Sequence, residues 1–111
     1  MNNVIKEVET LKEDILNSDE YKEFKKYETI LDNSKEINNI ITNIKRLQQQ
    51  IIKKEDKNQD TDKEEIELQS LYKELNTYDD YVKYIESSKK FNELITYIQK
   101  EFENYFNQFI I

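Results

Sequence analysis

The 111-residue chain contains no glycine, no proline, no cysteine and no histidine. Average usage would place roughly 13 glycines and prolines in this length. Tight hairpins, G1 bulges and phosphate-cradling loops depend on glycine, so β-sandwiches, P-loops and dinucleotide folds are excluded in practice. Without Cys or His there is no thiol nucleophile, disulfide, imidazole base or zinc site of the usual kind. The amino-terminal residues Met1-Asn2-Asn3-Val4-Ile5-Lys6-Glu7 contain no long apolar run, and no stretch approaches the ~20 residues of a membrane span. A cytoplasmic protein away from membranes is the expectation.

What is present is charge and helical periodicity. Charged residues make up 37% and apolar ones 36%, so the core will be thin, and the net charge is −7. Such a surface repels phosphate backbones. The best basic patch, Lys45-Arg46 with Lys53-Lys54, is followed at once by Glu55 and Asp56, so no direct contact with nucleic acid is expected.

The fold class expected is all-α: an elongated antiparallel helical bundle with a long C-terminal helix, oligomeric, in one domain over residues 1–111. Helices are predicted at roughly 3–16, 19–31, 35–54, 62–75 and 79–110 from apolar residues recurring every three or four positions. Val4, Val8, Leu11 and Ile15 form a narrow seam on the first. Asn17 is the expected αL terminus and Ser18 the next N-cap. Tyr21, Phe24, Tyr27, Ile30 and Leu31 line the second helix, and a break follows at Asp32-Asn33-Ser34. The third helix has the cleanest stripe: Ile37, Ile40, Ile41, Ile44, Leu47, Ile51 and Ile52.

Lys53 to Glu65 is a run of 13 residues without an apolar side chain, where the chain is expected to reverse so that helices three and five pair antiparallel. A capping box at Thr61-Asp62-Lys63-Glu64 starts helix four, whose face is Ile66, Leu68, Leu71, Tyr72 and Leu75. Thr77 is the expected N-cap of helix five, with a bend or short break before it.

The loop from Asp56 to Glu67 places oxygen ligands at positions 1, 3, 5, 7, 9 and 12 of an EF-hand register. Thr61 stands where that motif has glycine, and Lys63 stands at the normally apolar eighth position. A solvated acidic loop is the better reading, and weak divalent-cation binding the alternative. The acid pairs Glu64-Glu65 and Asp79-Asp80 are read as capping and solubility rather than acid/base machinery, because neighbouring residues point to different sides of a helix. No cofactor, metal or catalytic residue is assigned.

Nine of the thirteen aromatic residues fall between Tyr78 and Ile111. A helix over this stretch would run roughly 45–50 Å, against ~25–30 Å across a compact domain of this size. Within it, Ser88 is small enough to sit against a neighbour where the charged patch interrupts the stripe. Phe102, Tyr105, Phe106, Phe109 and Ile110 crowd the last turns and are the candidate partner interface. An ordinary core against the first two helices is the competing reading.

Asp14-Ile15, then Ser18-Asp19-Glu20-Tyr21 and Tyr27, with Asp32 before the long Ile-rich helix, resembles the YlbF/YmcA family of small helical bacterial proteins. The later half does so too: Leu75-Asn76, Tyr81-Val82-Lys83-Tyr84 and Phe91-Asn92-Glu93-Leu94-Ile95, separated from the first half by a charged loop. The resemblance covers residues 4–110. It implies an all-helical, oligomeric regulator of competence, sporulation or biofilm development in Firmicutes-type bacteria, not an enzyme. The implied partners are copies of itself, a paralogue and the endoribonuclease that initiates mRNA processing and decay. Some family complexes bind iron–sulfur clusters through cysteines, and this chain has none. A structural homo-oligomeric bundle without a heterologous partner is the alternative function.

Overall fold

The computed structural model describes residues 2–110. Met1 and Ile111, the two ends of the expected domain, lie outside the described residues. Among the described residues there are five helices and no strand: α1 (Asn2–Leu16), α2 (Asp19–Asp32), α3 (Lys35–Asp56), α4 (Asp62–Leu75) and α5 (Asp79–Asn107).

The junctions show how a chain without glycine ends its helices. Ser18 caps α2, its Oγ accepting from the Tyr21 N–H at 3.2 Å while donating to the Ile15 carbonyl at 2.6 Å. Ser34 caps α3 by accepting from the Ile37 N–H at 3.3 Å, and the Asn38 amide reaches back to the Leu31 and Asp32 carbonyls at 3.1 and 3.2 Å. One side chain thus closes the carboxyl end of α2 from within α3.

The αL terminus falls at Asn58 (φ 55°), the one positive φ among the described residues, and not at Asn17. Around it the Gln59 N–H reaches the Lys54 carbonyl at 2.8 Å and the Asn58 N–H reaches that of Glu55 at 3.0 Å. This is the Schellman bond pair, with asparagine in the place glycine normally takes.

The chain forms two compact units. One comprises the residues up to Tyr27 together with those from Tyr84 onward; the other is Glu28–Lys83. The second unit holds the dry aliphatic core: Leu31, Ile37, Ile40, Ile44, Leu47 and Leu75, with Leu47 and Leu75 each 1% exposed. It is built on an antiparallel pair of helices, as the contacts Lys54–Glu64 and Gln48–Tyr72 (2.9 Å) run in opposite senses along α3 and α4. The helix brought back against α3 by the charged loop is therefore α4, whereas the sequence pattern suggested α5. A connection this short pairs neighbours in sequence.

The other unit is held by rings. Phe24 stacks on Phe91 at 5.4 Å between centroids, Tyr21 meets Phe91 edge-on at 5.4 Å, and Phe24 lies 5.8 Å from Tyr84. Going up α2 from Tyr21 to Phe24 means going down α5 from Phe91 to Tyr84, so these helices are antiparallel. Bulky rings keep the backbones apart, and every one of them stays half-exposed. Ser87 is the small residue buried on the inner face, one position before the expected Ser88, which is half-buried. Ser87 shares the i, i+3, i+7 row of Tyr84 and Phe91, and its hydroxyl is bonded to the Tyr84 carbonyl at 2.9 Å.

Candidate functional site

On a helix, Tyr84, Ser87, Phe91, Leu94 and Ile98 lie in one stripe, and continuing that stripe by turns of 3.6 residues leads to Phe102, Tyr105 and Phe109. The same face of α5 that packs on α2 thus runs on past its cover. From Tyr84 to Ile98 the stripe is buried or half-buried, and from Glu101 to Ile110 every residue is exposed. The five tail residues Phe102, Tyr105, Phe106, Phe109 and Ile110 are between 42% and 77% exposed.

The rings organise one another. Phe102 and Phe106 stack at 5.9 Å with planes 13° apart, and Tyr105 contacts Phe106 and Phe109 edge-on at 5.9 and 5.0 Å. Opposite them α1 presents Val4, Val8 and Leu11, and with Phe102, Tyr105 and Phe106 these residues line an open cleft of about 330 Å³, with Glu7 at its edge. α1 has no buried residue of its own, and Val4, Ile5 and Val8 are exposed. The seam on α1 and the aromatic tail therefore face a common cleft without filling it.

One detail departs from the sequence reading. α5 ends at Asn107, so Phe109 and Ile110 lie beyond the helix. Its last turn tightens, with the Gln108 N–H on the Tyr105 carbonyl at 3.2 Å and the Phe109 N–H on that of Phe106 at 2.9 Å. These i→i+3 bonds are the ordinary way a helix end satisfies carbonyls that lack a cap.

The acidic loop resolves into structure of a different kind. Glu64, expected in a capping box, is 9% exposed and its carboxylate is ion-paired with Lys54 across the hairpin. The Lys54 hydrogen bond and the residue's own backbone N–H hold the Glu64 carboxyl below its ordinary pKa, against the opposing pull of desolvation. Capping passes to Asp60, whose Oδ1 accepts from the Asp62 N–H at 3.2 Å, while the Thr61 hydroxyl donates to Glu65 at 3.1 Å. Ile66, expected on the inner face of α4, is 70% exposed. The phase of α4 is set instead by the row of buried Glu64, half-buried Leu68 and Leu71, and buried Leu75, which turns Ile66 outward.

Likewise Thr77 does not start α5; its hydroxyl donates to the Glu74 carbonyl at 2.6 Å and so ends α4. Tyr78 follows, its phenol donating to Glu36 at 3.4 Å and held above its ordinary pKa by desolvation and then by the Glu36 and Glu74 charges. Because Lys54 is committed to Glu64, the basic patch of α3 loses one member. Among the described residues no three acidic groups converge as a metal ion would require. Nor is any helix there long and apolar enough to cross a membrane. The arrangement that stands out is an uncovered aromatic and aliphatic surface.

A search of curated proteins finds no match to the chain. A family model described as control of competence regulator ComK, YlbF/YmcA matches residues 4–105. That span runs from the first seam residue on α1 to Tyr105 in the exposed tail and takes in all the breaks between helices. The chain belongs to the YlbF/YmcA family.

Proposed function

We propose that this protein is a non-enzymatic regulatory adaptor that works by helix-mediated association, with Phe102, Tyr105, Phe106, Phe109 and Ile110 as its anchors. The observation that carries this reading is the uncovered end of the α5 stripe facing an equally uncovered α1. The four exposed tail rings alone present on the order of 400 Å² of surface, the size of the largest apolar patch on a typical monomer, which is often a functional one. Val4, Ile5 and Val8 enlarge it toward the ~800 Å² per partner of a stable interface.

The occupant suited to the cleft is an amphipathic helix, laid so that its apolar side meets both α1 and the tail. A second copy or a paralogue supplies such a helix. An RNA-processing endoribonuclease would be the enzyme regulated, and the cytoplasm the compartment. The family's regulatory description and the absence of any paired nucleophile and base from the sequence support the adaptor role over catalysis.

The test is the double substitution Phe106→Ser and Phe109→Ser, read by light scattering with circular dichroism beside it. The expected outcome is a smaller particle with unchanged helicity, since neither ring is part of the buried core. An unchanged mass would remove these residues from the interface. A tagged pull-down from the native cell then distinguishes an adaptor, which brings a paralogue and an RNA-processing enzyme with it, from a purely structural oligomer, which is recovered alone.

A further inference from the structure

The opposite face of α5 carries a second feature, and it does not depend on the aromatic tail. Ile85, Lys89, Glu93 and Tyr97 are spaced by four and lie in one oblique row on the outer side of the helix. All four line an open groove that runs along α5 with Ser88 and Asn92 beside them. Ile85 is 45% exposed and Tyr97 65%. Among the described residues neither Lys89 nor Glu93 is engaged in a salt bridge.

Read from one end the row is apolar, positive, negative, aromatic. Read from the other it is aromatic, negative, positive, apolar. A two-fold axis between positions 89 and 93 therefore sets Ile85 against Tyr97 of a second copy, and Lys89 against Glu93, each twice. Such rows are the ridges that interdigitate when two helices cross at roughly −50°, because each is inclined to its own axis by about half that angle. In that crossing the two rows lie side by side, so charge order and helix geometry agree. A partner that carries either charge of this pair at the other's position would meet a like charge.

We infer that this row is an isologous docking surface for a second copy of the chain, with α5 crossing α5 about the point midway between Lys89 and Glu93. Closed two-fold contacts of this kind pair each residue with its complement in both directions. The apolar ends supply the attraction, and the central charges select the register and the partner.

Charge reversal and exchange test this directly, and the background Phe106→Ser/Phe109→Ser is used so that any contribution of the tail is already removed. In that background the chain is expected to retain a concentration-dependent dimer by sedimentation equilibrium. Lys89→Glu alone and Glu93→Lys alone each convert two attractions into two repulsions, and should raise the dissociation constant roughly tenfold or more. Lys89→Glu combined with Glu93→Lys restores the complementary order and should bring the constant back, with helicity unchanged throughout. A background protein that is monomeric at all concentrations overturns the proposal. So do single reversals without effect, or a double exchange that fails to rescue. None of these outcomes depends on whether the tail substitutions themselves reduced the mass of the native chain.

Discussion

Glu64 shows what a single buried carboxylate does to a hairpin otherwise closed by polar residues. Its pKa is held below the ordinary value, chiefly by Lys54, so the folded state binds this proton less readily than the unfolded chain does. The stabilisation is thus fully present above the unfolded value of about 4.3 and is lost as the pH falls through the lower folded value. Glu64→Gln should lower the melting temperature at neutral pH and flatten the acid limb of a plot of melting temperature against pH. A mutant whose acid limb matches that of the native protein would show that Lys54 contributes no net stabilisation. The periodicity of α4 concealed this residue, because a charged side chain in a run of 13 polar positions carries no sign of burial until its partner is placed.

Among the elements, α3 is where sequence and structure agree most fully, and the reason is physical. Ile37, Ile40, Ile44 and Leu47 are large, apolar and in phase, and all four are buried, whereas Ile52, expected in the same stripe, is 59% exposed near the helix end. No alternative rotation of the helix hides them. On α4 the expected face held both Ile66 and Leu75, but nine residues at about 100° each set them on opposite sides of a helix, and the structure buries Leu75 together with Glu64, the partner of Lys54. Leu47→Ala should accordingly cost about 2–5 kcal/mol in denaturant unfolding, while Ile66→Ala should stay within about 0.5 kcal/mol. Equal losses at the two positions would mean that α4 is rotated from the orientation described. The helix ends were legible where a hydroxyl preceded the helix, as at Ser18 and Ser34. The starts of α4 and α5 also fall where the pattern put them, at 62 and 79, but the capping roles of Thr61 and Thr77 were illegible, because their hydroxyls turn to a neighbouring carboxylate and to a preceding carbonyl. The aromatic tail was legible as a cluster, but its uncovered state was not, since periodicity reports which face is apolar and not how far along it the cover extends.

At the scale of the whole molecule the two units differ in kind. Among the described residues Glu28–Lys83 contains every buried aliphatic side chain, whereas the other unit is joined by half-exposed rings and includes α1, with no buried residue. Opening free energy follows buried apolar contact. Amide hydrogens from Ile40 to Leu47 should therefore exchange slowest, and those of α1 should exchange fastest among the helices in the isolated chain. Adding the partner that covers the α1 cleft should slow α1 selectively. Uniform protection across all five helices would contradict this division.

The closure of the hairpin by Lys54 and Glu64 has a consequence for descent. Losing Lys54 alone strands the Glu64 carboxylate in a place water scarcely reaches, whereas losing Glu64 alone leaves Lys54 partly solvated, and exchanging the two charges or replacing both with side chains of hydrocarbon leaves nothing stranded. Most relatives should thus hold the pair, its reverse or an apolar substitute at positions 54 and 64. The route between those states that loses Glu64 first avoids a stranded charge, so among descendants a lysine at 54 without its acid should be found more often than an acid at 64 without its base.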